Sequence, residues 1–158
     1  MVQWLDAEIG GLRLRLVAGD GGLCGIKFSA GKAMEGDPDP RNPVLLETER
    51  QLRAYFAGEV REFDLPLDLS GTPFQLRVWN QLRKIPYGAT RSYGELASEL
   101  GAASAVRAVG AANGANPVPI VVPCHRVIGA SGKLVGYGGG LPLKRRLLAL
   151  ERGSLFEV

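Results

Sequence analysis

The stretch Val118-Pro119-Ile120-Val121-Val122-Pro123-Cys124-His125-Arg126-Val127 sets a cysteine and the chain's single histidine directly behind an apolar run. Val118 to Pro123 reads as a buried extended segment that stiffens as it ends, so Cys124 should leave the core at a fixed place. A thiol is a poor nucleophile until it becomes thiolate, and a nearby imidazole, as base or cation, shifts that equilibrium. His125 is the only imidazole available. Neighbours on an extended strand point to opposite faces, so His125 is expected to reach Cys124 by a turn after Pro123 and a bridging water. Glu151 is a candidate to orient the imidazole, because it ends the last expected helix, which can return towards the site. A packing coincidence is the alternative reading of the pair. A metal site is disfavoured, since one histidine and two remote cysteines do not supply the clustered ligands that zinc prefers.

With 158 residues and 46% apolar composition, the chain can bury one sizeable core, or one core plus a small satellite. No run of about 18 apolar residues exists to span a bilayer, and Cys24 and Cys124 do not suggest a disulfide framework. The start, Met1-Val2-Gln3-Trp4-Leu5-Asp6, lacks a secretory pattern, so a reducing cytoplasm and a free Cys124 thiol are expected. Charge is divided unevenly. Residues 1–71 carry 8 Lys/Arg against 12 Asp/Glu, net −4, whereas residues 72–158 carry 11 against 4, net +7. A basic half around the candidate nucleophile suggests an anionic partner, nucleic acid first, although Arg145 and Arg146 can equally solvate a helix face.

Towards the N-terminus, Leu12, Leu14 and Leu16 alternate with Arg13 and Arg15. An Asp20-Gly21 turn and a second apolar segment, Leu23 to Phe28, follow. This predicts a small antiparallel sheet with Cys24 as a buried strand residue. Residues 31–43 read as a loop, and Asn42-Pro43 starts a helix whose Val44, Leu45, Leu52, Tyr55 and Phe56 share one face up to Gly58. Phe63 to Leu69 is extended and leads to a break at Ser70-Gly71.

The break divides the chain into domains 1–71 and 72–158. Thr72-Pro73-Phe74-Gln75 caps a helix expected to run to about Ile85, before Pro86. Ser92-Tyr93-Gly94-Glu95 is a second capping box, opening a short helix stopped by Gly101, and a third helix is expected from near Ser104 to Asn113-Gly114. Two short helices across a glycine-containing turn fit a helix-turn-helix, a shape also found in helical hairpins that bind nothing. A last helix, from about Pro142 to Glu151, puts Leu143, Leu147 and Leu150 on one face.

Pro123-Cys124-His125-Arg126-Val127-Ile128, preceded by Arg107-Ala108-Val109-Gly110 and Asn116-Pro117-Val118-Pro119-Ile120, strongly resembles the O6-alkylguanine-DNA alkyltransferases. The likeness covers about residues 72–153 closely and the N-terminal part more loosely. It implies an α+β protein: a small N-terminal antiparallel-sheet, RNase H-like domain, then a mainly helical, winged-helix-like C-terminal domain with the helix-turn-helix. It also implies single-turnover methylated-DNA–protein-cysteine methyltransferase activity, in which Cys124 irreversibly takes the alkyl group from guanine O6 in double-stranded DNA. Such a protein uses no cofactor and no membrane and is expected to be monomeric.

By the same resemblance, His125, through water, and Glu151 form the activating relay, Tyr93 assists at the guanine ring, and Asn116 braces the active-site turn. The target base is rotated out of the duplex, and Arg107 fills the space it leaves from a helix in the minor groove. Ala105, Ala108 and Gly110 permit close approach, while Ser92, Tyr93 and Gly94 hold phosphate through their backbone. Val127, Tyr137, Gly138 and Lys144 are assigned to the substrate pocket. Gly138 replaces a side-chain hydroxyl of some relatives, so one contact to the base comes from backbone or is absent. The single histidine argues against the N-terminal zinc site of other relatives. Two rivals remain at this stage: a noncatalytic module that binds alkylated bases, and a Cys-His hydrolase.

Overall fold

A computed structural model describes residues 2–28, 30–31 and 36–153, and the chain divides into two compact units, Met1–Ser70 and Gly71–Val158. In the first unit, three strands follow from the alternation and glycine turns near the N-terminus: β1 (Gln3–Ile9), β2 (Leu12–Gly19) and β3 (Gly22–Lys27). β1 and β2 pair antiparallel from Gln3↔Ala18 to Ile9↔Leu12, and β2 pairs antiparallel with β3 across a bulge at Val17/Ala18. The alternation in β2 does not expose Arg15 as the pattern suggests. Arg15 is buried because Asp6 takes its Nε at 2.6 Å and its Nη2 at 2.8 Å, and its guanidinium lies 3.9 Å from the Trp4 ring centre.

The sheet is mixed rather than purely antiparallel. Within the stretch read as loop, β4 (Asp37–Pro38) runs parallel to β1, held by Asp37 N–H to Val2 O and Asp39 N–H to Trp4 O. Pro38 has no N–H to offer a further neighbour, which suits this edge position. Residues 32–35 of that loop lie outside the described residues. Helix α1 (Pro43–Phe56) starts where Asn42 Oδ1 accepts from Val44 and Leu45 N–H. It buries Leu45, Leu52 and Tyr55 on the sheet, and ends two residues before Gly58. Cys24 is half-exposed in β3 rather than fully buried.

The second unit is mainly helical. Helix α2 (Pro73–Leu82) has a complete capping box between Thr72 and Gln75, a feature worth about 1 kcal/mol. It stops short of Ile85, because Pro86 disfavours helical backbone in the preceding residue and the chain tightens into i→i+3 bonds at Lys84 and Ile85. β5 (Arg91–Ser92) leads into α3 (Tyr93–Glu99), whose Ser92–Glu95 capping box is also complete. Helix α4 (Val106–Gly114) begins after Ala105, close to the expected start near Ser104, and has no side-chain cap. Buried Trp79 ties α2 to α4 through its Nε1–H, which donates to Ala112 O at 2.8 Å.

The apolar run 118–123 is a tight turn instead of an extended segment. Val118, Ile120 and Val122 are buried, but Pro119 bridges Val122 and Ile120 adopts φ 75°. The prolines at 117, 119 and 123 remove strand donors, and Asn116 binds both ends of the turn, so the apolar residues reach the core by folding back. β6 (Val127–Ile128) then pairs parallel with β5, a pairing no local pattern announces. Helix α5 (Leu141–Arg152) closes the unit and stops at left-handed Gly153.

Candidate active site

Cys124 opens a single 3-10 turn, Cys124–Arg126, set between the folded-back apolar run and β6. Asn116 fixes that entry: its Nδ2 donates to Val122 O at 2.8 Å and its Oδ1 accepts from Val118 N–H at 3.0 Å. The Asn116 amide also acts on the Cys124 thiol as a hydrogen-bonding group that favours its charged form. Burial pushes the thiol above its ordinary value; the Asn116 amide and the charge of Lys144 pull the other way without prevailing.

The turn sends His125 away from Cys124 and into the core, where it is fully buried. Its Nε2 lies 2.7 Å from Glu151 Oε2, at the end of α5. Burial holds the imidazole below its ordinary pKa, outweighing the opposite pull of Glu151. Burial likewise acts to raise Glu151, but hydrogen bonds from His125 and Arg126 overcome it and bring the carboxyl down to about 2. A neutral imidazole beside a carboxylate carries its proton on Nε2, so Nδ1 keeps a lone pair. That Nδ1 is buried and has no hydrogen-bond partner among the described residues, and no bond joins His125 to Cys124 directly.

Arg126 completes this buried group. Its Nε donates to Glu151 Oε1 at 2.7 Å, Nη2 to Oε2 at 3.0 Å and Nη1 to Ile85 O at 2.8 Å. A desolvated cation is therefore balanced by a carboxylate and a carbonyl.

In front of the thiol is a cavity of about 170 Å³ lined by Tyr93, Gly110, Asn113, Gly114, Cys124, Gly136 and Tyr137. Tyr93 comes from the first turn of α3, which β5–β6 pairing brings beside the cysteine turn, and its hydroxyl donates to Val135 O at 3.3 Å. Burial raises the phenols of both Tyr93 and Tyr137. Lys144 is buried behind the cavity wall, its Nζ donating to Val135 O at 3.1 Å and Gly136 O at 3.3 Å. Burial lowers its pKa, and attraction to Cys124 partly restores it.

The structure thus gathers Cys124, Tyr93, Gly110 and Tyr137 at the cavity, with Asn116 bracing the turn and His125, Glu151 and Lys144 behind. It does not gather all of the residues assigned to the pocket. Val127 is fully buried in β6 and is not among the lining residues, and Gly138 is exposed outside them, with nothing within 4 Å of an added Cβ. On the outer side, Arg107 and Ala108 are exposed on α4, and Ala105 is half-exposed just before it. Gly110 turns inward, where a Cβ would meet the Tyr93 ring at 3.8 Å. Gly94 is exposed and Ser92 half-buried, its hydroxyl accepting from Glu95 N–H in the cap.

Sequence reasoning missed Arg126, Asn113, Gly114 and Gly136. Arg126 could have been found as a charge inside an apolar run, and Asn113 and Gly114 by their i+3 and i+4 spacing from Gly110 on one helix face. Among the described residues, no group of three or more His, Cys, Asp or Glu could hold a metal ion, and no helix is long and apolar enough to cross a membrane.

The chain is similar to known proteins in sequence and fold. Residues 73–153 match the family described as 6-O-methylguanine DNA methyltransferase, DNA binding domain, and residues 5–69 match its ribonuclease-like domain. A methylated-DNA–protein-cysteine methyltransferase of Mycolicibacterium paratuberculosis is 71% identical over 102 residues, 65% of this chain and 62% of that protein. The matched stretch thus spans less than two thirds of that relative's length. The crystal structure of Mycobacterium tuberculosis O6-methylguanine methyltransferase superposes with a TM-score of 0.88 at 50% identity, covering 97% of this chain and 94% of that one. That of M. tuberculosis OGT in complex with DNA gives 0.87 at 52% identity, covering 96% and 93%.

Proposed function

This chain belongs to the 6-O-methylguanine DNA methyltransferase family, and from that membership we propose that it repairs duplex DNA by moving the alkyl group of O6-alkylguanine onto its own Cys124, once and irreversibly. The observation that carries this reading is the buried Cys124 thiol facing a small cavity, with a neutral His125 held by Glu151 behind it. In this reading the protein works as a monomer in the cytoplasm, where DNA and free thiols coexist.

The target base leaves the stack at a cost of about a few kcal/mol, and Arg107, exposed on α4, occupies the gap. Inside the cavity, the Cys124 thiol gives its proton through water to His125 Nδ1, and the imidazolium is stabilised by Glu151. Lys144 attracts the thiolate. Sulfur then attacks the alkyl carbon: the S–C bond forms as the C–O6 bond breaks, and the electron pair stays on guanine. The Tyr93 hydroxyl donates a hydrogen bond to the base as this charge develops, and the proton taken up by His125 returns through water to guanine N1, leaving neutral guanine, neutral imidazole and the Cys124 thioether. Atoms and charge balance with protein and DNA alone. The thioether has no leaving route, so each molecule reacts once.

Incubation with a duplex containing O6-methylguanine, followed by proteolysis and mass spectrometry, tests the acceptor. The peptide containing Cys124 should gain one methyl group. A methyl group on Cys24 instead, or binding without any transfer, overturns the assignment.

A further inference from the structure

The helix that presents Arg107 is held by directed bonds from α2. In its last turns, the indole Nε1–H of Trp79 donates to Ala112 O at 2.8 Å, and both residues are buried. Arg77 Nη2 donates to Leu100 O at 2.7 Å, ahead of the turn into α4, but that bond is exposed and water competes for it. Val109 and Ala112 pack α4 on the core by apolar contact, which has no direction and does not fix how far the helix slides along its axis. The indole is itself seated without slack. A Cβ on Gly71 would lie 2.6 Å from Trp79 Cη2 and 2.7 Å from Cζ3, so glycine at this position leaves the ring its place.

What the indole holds matters at both ends of α4. Arg107 precedes Ala112 by five residues, about 7.5 Å along the helix, and Asn116, the brace of the cysteine turn, follows Ala112 by four. One rigid piece therefore carries the exposed arginine and runs into the support of the thiol. We propose that Trp79 is a positioning residue for alkyl transfer: its bond to Ala112 O sets the axial register of α4, and so holds Arg107 where it fills the duplex while the rotated base reaches Cys124. A misplacement of about 1 Å between such groups can cost about a hundredfold in rate. The inference rests on the finger role proposed for Arg107.

A double-mutant cycle tests it. First-order transfer rates from an O6-methylguanine duplex are measured at saturating protein for the wild type, Trp79→Phe, Arg107→Ala and the double variant, counting only the reacting fraction so that unfolded protein drops out. Trp79→Phe keeps an aromatic ring and removes the N–H; it should slow transfer by about tenfold or more. In the Arg107→Ala background the same change should cost less than about twofold, since the part it positions is gone. Gly71→Ala, which displaces the indole and keeps its N–H, should reproduce the pattern if Trp79→Phe folds poorly. A merely structural role lowers stability and the reacting fraction, or slows both backgrounds by the same factor, and that outcome overturns the proposal, as does an unchanged rate in Trp79→Phe. Arg107→Ala without effect would refute the finger role and this inference with it. Base opening is followed separately in a Cys124→Ala background, by the fluorescence of 2-aminopurine beside the O6-methylguanine. Opening that depends on Trp79 and Arg107, without transfer by the wild type, would uphold this inference while refuting the alkyl-transfer reading.

Discussion

Arg126 grips both carboxylate oxygens of Glu151, Nε at 2.7 Å from Oε1 and Nη2 at 3.0 Å from Oε2. The grip keeps Glu151 charged in a place where burial alone would neutralise it, and so gives His125 a fixed anionic partner. Breaking one side of such a pair strands the other charge in the core, at a cost of about 3–5 kcal/mol. Glu151→Gln should therefore lower stability by about that much, measured by urea unfolding. It should also slow alkyl transfer by about a hundredfold through loss of the oriented base. Unchanged stability would mean that Arg126 finds another partner.

The same pair fixes the acid limit of the fold. Glu151 sits at about 2 against an ordinary 4.5, so its stabilisation is complete above the unfolded value and is lost as pH falls towards 2. At about 1.4 kcal/mol per unit this amounts to about 3 kcal/mol. His125, held neutral below its ordinary 6.5, acts in the same direction: its contribution is full above 6.5 and lost on acidification through its lower folded value. Thermal midpoints should fall as pH drops below 6.5, and more steeply below 4.5. His125→Gln should remove the first part of that fall.

Asn116 holds Val118 and Val122 together across a turn that contains Ile120 at φ 75°. A β-branched residue with positive φ persists only where its surroundings over-determine it, at a cost of about 1–3 kcal/mol. Asn116→Ala should destabilise the protein by about 1–3 kcal/mol, a drop of roughly 2–4 °C per kcal/mol in the thermal midpoint. Transfer should slow as well, since the turn also aims Cys124. Full activity with lowered stability would confine Asn116 to a structural role.

Lys144 offsets the burial that raises the Cys124 thiol, while holding the Val135 and Gly136 carbonyls of the cavity wall. Lys144→Met should shift the rising limb of the pH–rate profile to higher pH, because burial then acts on the thiol unopposed by that charge. A lower rate with an unshifted limb would assign Lys144 to holding the wall alone.

Arg107 is exposed on α4 and is not one of the residues that line the cavity in front of Cys124. If it fills the space of the rotated base, Arg107→Ala should slow transfer from duplex DNA by tenfold or more. Reaction with free O6-methylguanine base should remain nearly unchanged. Equal losses on both substrates would refute the finger role.

Much of this molecule is written locally. The Thr72–Gln75 and Ser92–Glu95 capping boxes and the Asn42 cap are short-range patterns, and each appears where its residues put it; the alternation in β2 gives the strand but not its exposure, since Asp6 buries Arg15. The extended reading of Val118 to Pro123 failed because hydrophobicity records burial, not direction, and the Asn116 bonds that fold the segment back span six residues. The β5–β6 pairing joins Arg91 to Val127, and nothing within either two-residue strand announces the other. Cys124 and His125 draw attention through composition. Arg126 and Asn113 carry weaker local signals, a charge in an apolar run and a shared helix face with Gly110, and their roles are defined only once α5 and α4 have docked.

The central claim is that Cys124 is consumed. Protein titrated with a duplex carrying radiolabelled O6-methylguanine should fix label on itself to at most one equivalent, with none on Cys124→Ala, and the transfer should then stop. Continued release of label from the DNA beyond one equivalent per protein would contradict the account.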